Sequence, residues 1–504
     1  MNNQQFEVYN NIPKEKFAFV KDADRQHDQK FDTKPVSYMK DAWRRFAKNK
    51  SSVAAMIIIV IMFLYAIIVP IVSPFEVSDR DGRYRGTLPK LKMFEGTGFW
   101  DGTEKVTLSQ AEYDRFNAIL VETGQPVIEV LDIETITYVD GSVSHKYTVR
   151  RDTYLQFGVV IRNLTDEEYK DMQAYQNETG RQLLYPMITT EDSFLESDGN
   201  YWYKTDRTGA AVYDADGNYQ SKYLAYDGND EYESNRVEGD TPLYKYAVRK
   251  QGNMWQCRVD YYEQFVYLNG VEPSFVFGTN MQGQDIFVCL ASGARFSFLL
   301  AIFISLINLT IGAIYGAIEG YYGGAADMIM ERISDILSGV PFMIVVTLFK
   351  LHLADKVGPV VSLLFAFVLT GWIGMASTVR MQFYRYKNQE YVLAARTLGS
   401  RDWRVMWKHV FPNSLGTIIT SCVLVIPGVI FSESSLSYLG IINLETGGYT
   451  SVGTLLANSQ SALAEFPHVV LFPSLFIALL MISFNLFGNG LRDAFNPSLR
   501  GSEG

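Results

Sequence analysis

Apolar positions in this 504-residue chain are concentrated in long, nearly uninterrupted runs. One run of about 20 apolar residues lies near the N-terminus and several more follow Ala294, and a helix of about that length crosses roughly 30 Å of hydrocarbon. The pattern predicts six membrane-spanning helices, over residues 53–72, 295–318, 334–353, 357–379, 415–436 and 469–490.

The polar stretch between the first two runs is long enough to form a domain of its own. The predicted fold class is therefore an α-helical polytopic membrane protein with six transmembrane helices and an inserted α+β domain. The predicted segments are a cytoplasmic N-terminal tail (1–51), a first membrane helix (52–73), the insertion (74–277), a membrane domain of five helices (278–495) and a C-terminal tail (496–504).

Charge is distributed unevenly between the insertion and the rest of the chain. Residues 73–293 contain 21 Lys and Arg against 36 Asp and Glu, whereas the whole chain has a net charge of −10. Basic residues cluster before the first apolar run and again between the fourth and fifth, as expected of cytoplasmic loops. We therefore expect a multi-pass plasma-membrane protein with both termini in the cytoplasm and residues 74–293 outside. The acidity of the insertion argues against nucleic acid as a partner.

The insertion has the alternation and turn residues of a folded domain. The stretch ETITYVDGSVSHKYTVRR, with Asp140-Gly141 at its centre, predicts a β-hairpin. Residues from Leu108 and from Leu164 match at a constant offset of 56, so we predict duplicated helix-plus-hairpin units at about 108–163 and 164–219. The predicted capping boxes are Ser109 with Glu112 and Thr165 with Glu168, and the predicted C-caps are Gly124 and Gly180. The alternative is a chance match between two capped helices.

Residue types that carry enzyme chemistry are sparse. Cys257, Cys289 and Cys422 form no CxxC pair, so we expect packing residues rather than a metal site. The run from Asp214 to Tyr219 is similar to a calcium loop but lacks the required Gly and Glu, which favours a hairpin turn. No phosphate-binding GxxxxGK[ST] loop and no nucleophile–histidine constellation occur, so we expect no catalytic residues.

A basic segment at 385–413 carries the strongest functional signal. Residues 391–398 are helix formers, Gly399 is a suitable helix stop, and Ser400 is placed to cap a second helix that runs to Pro412. This arrangement predicts a helix, a turn and a second helix in a cytoplasmic loop.

The side chains of this segment fit contact with another surface. Small Ala394 and Ala395 allow close approach, while Leu398, Trp403 and Trp407 offer apolar anchors. By residue pattern alone, the segment either docks on a partner protein or lies on anionic membrane lipid.

Further landmarks occur in a fixed order along the chain. They are FGTNMQGQDIFVCLASGARFS, GYYGGAADMIMERISDILSGVP, LTGWIGMASTVR, EYVLAARTLGSRDWRVMWKHVFPN, SESSLSYLGI and FNLFGNGLRDAFNPSLR. In this order they resemble the bacterial permeases of ATP-binding-cassette importers, specifically the C-type permease of oligopeptide and dipeptide importers. The resemblance extends from about Phe277 to Arg500, nearly half of the chain.

The resemblance implies the type I importer permease fold and a role for residues 385–413. In the family this stretch is the EAA loop, a coupling helix that docks into a cleft on a separate ATPase subunit. The coupling residues it implies are Glu390, Leu393, Ala394, Ala395, Leu398, Gly399 and Trp403. The chain would then bind no cofactor, because ATP binds to the partners. Those partners are a second homologous permease, two cytoplasmic ABC ATPases, an extracytoplasmic peptide-binding lipoprotein and membrane lipid.

The chain departs from the family pattern in three places. The Glu that names the EAA motif is Leu393 here, so an ionic contact to the ATPase becomes apolar or shifts to Glu390. Asn280 and Gln284 stand where the family usually has acidic and basic residues. Ordinary members lack the insertion at 74–277, which we expect to contact the binding protein or to shield the pore entrance.

Three polar residues in or beside the apolar runs are candidates for pore or helix-end positions, namely Asp335, Glu433 and Asn485. Polar groups at membrane depth are costly and often functional. Arg332 precedes Asp335 by three residues, so we expect a local ion pair there. For Glu433 a place at the pore mouth and a helix cap are both open.

The function predicted from these features is a permease subunit that forms half of a peptide-translocation pore and hydrolyses nothing itself. Within the same family, nickel or another small solute is an alternative cargo. From other classes, a membrane receptor with a ligand-binding insertion and a membrane-tethered enzyme are alternatives.

Overall fold

The computed structural model of the chain describes residues 38–137, 143–189, 198–226, 228, 243–249, 254–445 and 450–495. The predicted turn at Asp140-Gly141, the C-terminal tail at 496–504 and most of the N-terminal tail lie outside these residues.

Helices make up the two ends of the described chain and strands occur only between them. The helices are α1 (Tyr38–Lys48), α2 (Lys50–Val72), α3 (Gln110–Thr123), α4 (Asp166–Thr179), α5 (Tyr261–Asn269), α6 (Ile286–Tyr322), α7 (Gly324–Ser338), α8 (Phe342–Val357), α9 (Pro359–Tyr386), α10 (Glu390–Thr397), α11 (Asp402–Arg404), α12 (Phe411–Tyr438), α13 (Val452–Ser459) and α14 (Pro467–Phe495). The strands are β1 (Thr103–Leu108), β2 (Ile128–Thr137), β3 (Val143–Asp152), β4 (Val159–Thr165), β5 (Leu184–Tyr185), β6 (Ala247–Arg249) and β7 (Met254–Asp260).

Five helical stretches in the described residues are long and apolar enough to cross a membrane: α2, α6, α9, Asp402–Tyr438 and α14. Each coincides with one of the predicted spans and is longer than it. The model thus bears out the prediction of a polytopic helical membrane protein.

The predicted span at 334–353 is not one continuous helix. It falls on α7 and α8, which are bent by 73° at a short break, so the pair is a broken span or a re-entrant loop. Pro341 lies in the break and Gly339 caps α7. Because proline has no N–H and restricts the residue before it, the helix stops here and restarts in a new direction. Apolar content alone predicts one continuous helix over residues 334–353.

Small residues bring α6 and α9 into close contact. A Cβ atom added at Gly316 would lie 2.1 Å from the carbonyl oxygen of Ala376, and one added at Gly312 would lie 2.7 Å from the Cβ of Met375. In hydrocarbon, where the hydrophobic effect adds little between helices, close backbone approach of this kind is a main source of helix association. The contact holds α6 and α9 together.

The insertion contains two sheets built on one plan. The first has the strand order β1-β3-β2 and the second β4-β7-β5, with β6 also paired to β7, and all pairs are antiparallel. Strands β2 and β3 form the predicted hairpin. Both predicted capping boxes and both glycine C-caps are confirmed.

Each repeated unit begins earlier in the chain than the sequence predicts, and the second unit also ends later. A strand precedes each helix, β1 from Thr103 and β4 from Val159, at the same offset of 56 residues as the helices. The strand that closes the second unit is β7, which lies beyond residue 219. The second copy therefore does not end at 219, because its closing strand comes from a distant part of the chain.

Two smaller predictions also hold within the described residues. Cys257, Cys289 and Cys422 each pack in or against an apolar cluster, and burial raises the pKa of the Cys257 thiol to about 12. The run from Asp214 forms a hairpin turn in which the Asp214 carboxylate accepts backbone N–H groups of Asp216 and Asn218 at 2.9 and 2.8 Å.

Aromatic side chains join the insertion to the membrane helices. Phe277 stacks on Phe472 of α14 with ring centroids 4.1 Å apart, and the ring centroid of Trp100 lies 5.4 Å from that of Phe472. At the entry to α6, the Asn280 amide donates to the Gln284 side-chain oxygen at 2.9 Å. A neutral amide pair thus occupies the positions where the resemblance leads one to expect opposite charges.

Candidate functional site

The segment after α9 folds back on itself as a helix, a tight turn and a second helix. Gly399 follows α10 with a φ of +83°, a conformation that glycine adopts without strain, so the predicted helix stop is confirmed. The predicted cap is wrong, since Arg401 precedes α11 and no side chain caps it. Nor does the second helix end at Pro412, because a π-helical turn, Val405–Val410, leads directly into α12.

One face of this segment is buried against the ends of the membrane helices. Val392 of α10 and Val405, Met406 and Val410 of the π-helical turn join a cluster with Tyr321 of α6 and with Val379 and Phe383 of α9. Ala395 is also buried, at 8% exposure. Of the two small alanines, only Ala394 is open to another surface.

The opposite face exposes large apolar side chains. Leu398 at the turn is 86% exposed, Trp403 is 63% exposed and Leu393 is 47% exposed, and Glu390 lies on the exposed side beside them. Exposed apolar groups clustered on a short, firmly anchored element are typical of a docking surface. Leu393, in the position of the family's Glu, is part of that surface.

Polar contacts attach the segment to the C-terminal end of α6. The Tyr321 hydroxyl donates to the Asp402 carboxylate at 2.5 Å, and the Arg396 guanidinium lies 4.8 Å from the centre of the Tyr321 ring. The Lys387 ammonium donates to the Gly320 carbonyl at 2.8 Å, close to the last C=O groups of that helix. These contacts fix the exposed face at Leu398 and Trp403 to the end of α6.

A cluster of charges that the sequence reasoning missed lies next to this attachment. Arg380 of α9 donates to Asp327 at 2.6 Å and to Glu331 at 2.6 Å, both on α7, and lies 3.6 Å from Glu319 of α6. The Tyr384 hydroxyl also donates to Asp327. The three carboxylates lie close enough to hold a cation, and the guanidinium already lies among them. Arg380 thereby connects α6, α7 and α9.

A signal for this cluster was present in the sequence. Glu319 interrupts an apolar run, Asp327 and Glu331 are four residues apart on one helix face, and Arg380 ends another apolar run. What the sequence did not contain is the proximity of the first half of α7 to the end of α9, which only the packing of the helices decides.

The three pore or helix-end candidates lie in three different environments. Asp335 on α7 is exposed and pairs with Arg332 at 2.9 Å, which confirms the expected local ion pair. Asn485 is exposed on α14. Glu433 on α12 is buried.

Glu433 is enclosed by hydroxyl groups from three helical elements. Its carboxylate accepts hydrogen bonds from Ser451 before α13 at 2.7 Å, from Ser437 of α12 at 3.1 Å and from Ser297 of α6 at 3.2 Å. Because a carboxyl group without such donors is costly to bury, the serines account for its place in the interior. Glu433 fastens α12 to its neighbours and does not reach the surface of the described chain.

Two family models match the membrane segments. The family described as binding-protein-dependent transport system inner membrane component matches residues 308–501, which include the whole of residues 385–413. The family described as N-terminal TM domain of oligopeptide transport permease C matches residues 37–89. Residues 90–307, which include most of the insertion, lie outside both matches.

Individual proteins are also similar to part of this chain. The oligopeptide transport system permease protein OppC of Bacillus subtilis is 42% identical over 224 residues, which cover 44% of this chain and 72% of that protein. The dipeptide transport system permease protein DppC of the same organism is 39% identical over 225 residues, which cover 44% of this chain and 69% of that protein. Among solved structures, an inward-facing MetNI methionine ABC transporter has a TM-score of 0.34 and 13% identity, covering 41% of this chain and 96% of that one.

Proposed function

The chain belongs to the family of binding-protein-dependent transport system inner membrane components, and we propose that it is the permease subunit of an ATP-driven importer of oligopeptides or dipeptides. The observation that carries this proposal is the exposed apolar surface of Leu393, Leu398 and Trp403, anchored to α6 within the stretch matched by the family. The relatives' names, which refer to oligopeptide and dipeptide transport, support peptides over nickel as cargo.

In this proposal the chain's own chemistry is conformational. ATP binds to separate ATPase subunits, and their closure moves the docking surface at Leu398 and Trp403. The Tyr321–Asp402 hydrogen bond and the packing of Val392 against α6 and α9 transmit that movement. A bistable arrangement of packed helices then alternates between inward-facing and outward-facing states.

The proposed assembly contains this chain, a second homologous permease, two cytoplasmic ABC ATPases and an extracytoplasmic peptide-binding lipoprotein. Both termini and the docking segment, residues 385–413, lie in the cytoplasm. The reason is that α1 and the loop around α10 are rich in basic residues, and basic segments face the cytoplasm. The insertion lies outside, where it contacts the binding protein or shields the pore entrance.

Substitutions on the docking surface test the coupling role. We expect Leu398→Asp and Trp403→Asp to reduce uptake of a labelled tripeptide at least tenfold and to abolish co-purification of the ATPase subunits, because a desolvated charge opposes docking. Leu268→Asp is the matched control, since Leu268 is 67% exposed on the insertion and lies outside the segment. Wild-type uptake and ATPase retention in the Leu398 and Trp403 variants, at equal membrane levels, would contradict the proposal. They would favour a receptor that needs no ATPase.

Thiol labelling tests the orientation. The native cysteines are buried or half-buried, so an engineered exposed cysteine is the main target of an impermeant maleimide. In spheroplasts we expect Thr135→Cys on β2 to be labelled and Thr397→Cys, at an exposed position of α10, to be labelled only after permeabilisation. The reverse pattern would place the docking segment outside and remove the basis for coupling to a cytoplasmic ATPase.

A further inference from the structure

A polar cleft of about 510 Å³ lies where the insertion meets the turn before α14. Three parts of the chain form it: the segment after α2, the β1 and β3 strands with the turn that follows them, and the outer turn of the membrane domain. Its polar lining comes from Arg83, Arg85, Glu104, Arg151, Gln156 and Glu465. The volume is in the range of small-ligand sites.

The walls of the cleft are held in place by contacts that cross between these parts. Gly86 has a φ of +68°, and a Cβ atom there would lie 2.7 Å from the ring of Phe466. The Thr87 N–H donates to the Thr279 hydroxyl at 2.9 Å, and the Tyr154 hydroxyl donates to the Leu88 carbonyl at 2.8 Å. A cleft that is already shaped loses little conformational entropy when it binds a ligand.

The charges in the cleft are only partly neutralised. Arg151 pairs with Glu104 at 2.5 Å, and the Arg83 guanidinium lies 5.4 Å from the centre of the Tyr261 ring. Within the described residues, Arg85 and Glu465 line the cleft from different segments and neither has an ion-pair partner within 4.0 Å. The cleft therefore offers two cationic groups, Arg83 and Arg85, and one anionic group, Glu465, to an incoming molecule.

We propose that this cleft binds the two charged ends of a short peptide, with Arg85 holding the terminal carboxylate and Glu465 the terminal ammonium. The inference rests on the proposed function, which makes peptides the cargo, and adds a receiving site formed jointly by the insertion and the membrane domain. A guanidinium offers a carboxylate two parallel N–H donors, which an ammonium group cannot reproduce. Arg83, beside Arg85, adds positive charge at the carboxylate end.

Binding to the full chain in lipid nanodiscs tests the site without the binding protein. The probes are trialanine, its C-terminal amide and N-acetyl-trialanine, measured by isothermal titration calorimetry. We expect saturable binding of trialanine and at least fivefold weaker binding of both modified peptides. Arg85→Gln should weaken trialanine binding at least fivefold and remove the preference over the amide. Glu465→Gln should remove the preference over the N-acetyl form.

Arg207→Gln is the matched control, because Arg207 is an exposed arginine of the insertion outside the cleft, and it should bind trialanine as the wild type does. Unchanged trialanine binding by Arg85→Gln, or equal wild-type affinity for trialanine and its amide, would overturn the proposal. So would a loss of lipoprotein association in Arg85→Gln with intact trialanine binding, because the cleft would then be a docking surface. If the importer takes up trialanine while the wild-type chain binds none, this site fails and the proposed function stands. If the importer takes up no peptide, the proposed function fails.

Discussion

The two sheet units of the insertion follow the same chain path in different surroundings. Their first strands, helices and caps are related by an offset of 56 residues, whereas pairing aligns Asp152 with Asp260, an offset of 108. The second unit therefore carries 52 residues more than the first. Strand β2 is an exposed edge in the first unit, while the corresponding β5 is buried in the second.

The additional residues of the second unit pack on the helix of the first. Trp202 and Tyr203 form a buried cluster with Ala118 of α3, and the Trp202 indole donates to the Ala118 carbonyl at 3.2 Å. The Asp114 carboxylate of α3 accepts the Ala211 N–H at 2.8 Å. The additional segment of the second unit therefore forms a buried interface with the helix of the first unit.

Equivalent arginines show what the difference means energetically. Arg150 on β3 pairs with Glu129 at 3.0 Å in an exposed position. Arg258, at the equivalent place on β7, is fully buried and makes two hydrogen bonds of 2.7 Å to Glu122 of α3. The two arginines occupy equivalent positions but differ in burial, and burial sets the contribution that each ion pair is expected to make to stability.

The largest expected effect comes from breaking the buried pair. Arg258→Leu should lower the free energy of opening of the insertion by about 4 kcal/mol, because Glu122 is left buried and uncompensated. Arg150→Leu should change it by less than about 1 kcal/mol. Hydrogen exchange of β7 and β3 amides in the full chain measures both. Equal effects of the two substitutions would show that burial does not determine how much each ion pair contributes to stability.

Replacing equivalent strand residues with alanine should give the second-largest difference in stability between the two units. Leu184→Ala in β5 should cost about 3 kcal/mol, because a fully buried leucine leaves a cavity. Ile128→Ala, at the matching position of the exposed strand β2, removes a half-buried side chain and should cost about 1 kcal/mol. Urea titrations read by pulse proteolysis give both values. A larger loss for Ile128→Ala would mean that a partner covers β2.

The aspartates that close the two units predict a pH dependence. Desolvation raises the pKa of Asp260 to about 7, whereas Asp152 pairs with Lys90 at 3.1 Å. A carboxyl group with a higher pKa in the folded than in the unfolded chain stabilises the fold below about pH 4, and this contribution is lost as the pH rises through 7.

The wild type should therefore lose about 2 kcal/mol more than Asp260→Asn between pH 5 and pH 8. Burial also raises the pKa of Asp285 to about 7, so only the difference between wild type and variant isolates Asp260. Pulse proteolysis in urea at each pH provides the measurement. Parallel pH profiles for the two proteins would exclude Asp260 as the cause.

The smallest effects should be equal in the two units. Ser109→Ala and Thr165→Ala each remove one side chain of a complete capping box, at a cost of about 1 kcal/mol. Both caps are exposed, so the additional segment of the second unit should not matter. Hydrogen exchange of the first turns of α3 and α4 tests this expectation. A difference between the two costs above about 1 kcal/mol would show that the units are coupled even at their caps.

The docking segment illustrates how far local signals extend. The sequence identified Gly399 as a helix stop because glycine follows a run of helix formers, and the structure gives it a positive φ. Leu398 and Trp403 were identifiable as anchors because they are large and apolar in a basic loop. The inward orientation of Ala395 was not identifiable, since neighbouring alanines are equivalent until the helix packs against α6 and α9.

The sequence by itself determined the membrane helices, the helix caps, the repeat and the order of the family landmarks, because each depends on residues close together in the chain. Only the tertiary structure decided the bend between α7 and α8, the Arg380 cluster, the enclosure of Glu433 and the burial of Arg258. These features depend on pairs of groups from distant segments, and the free energy of a charged group depends on whether its partner and its surroundings replace water.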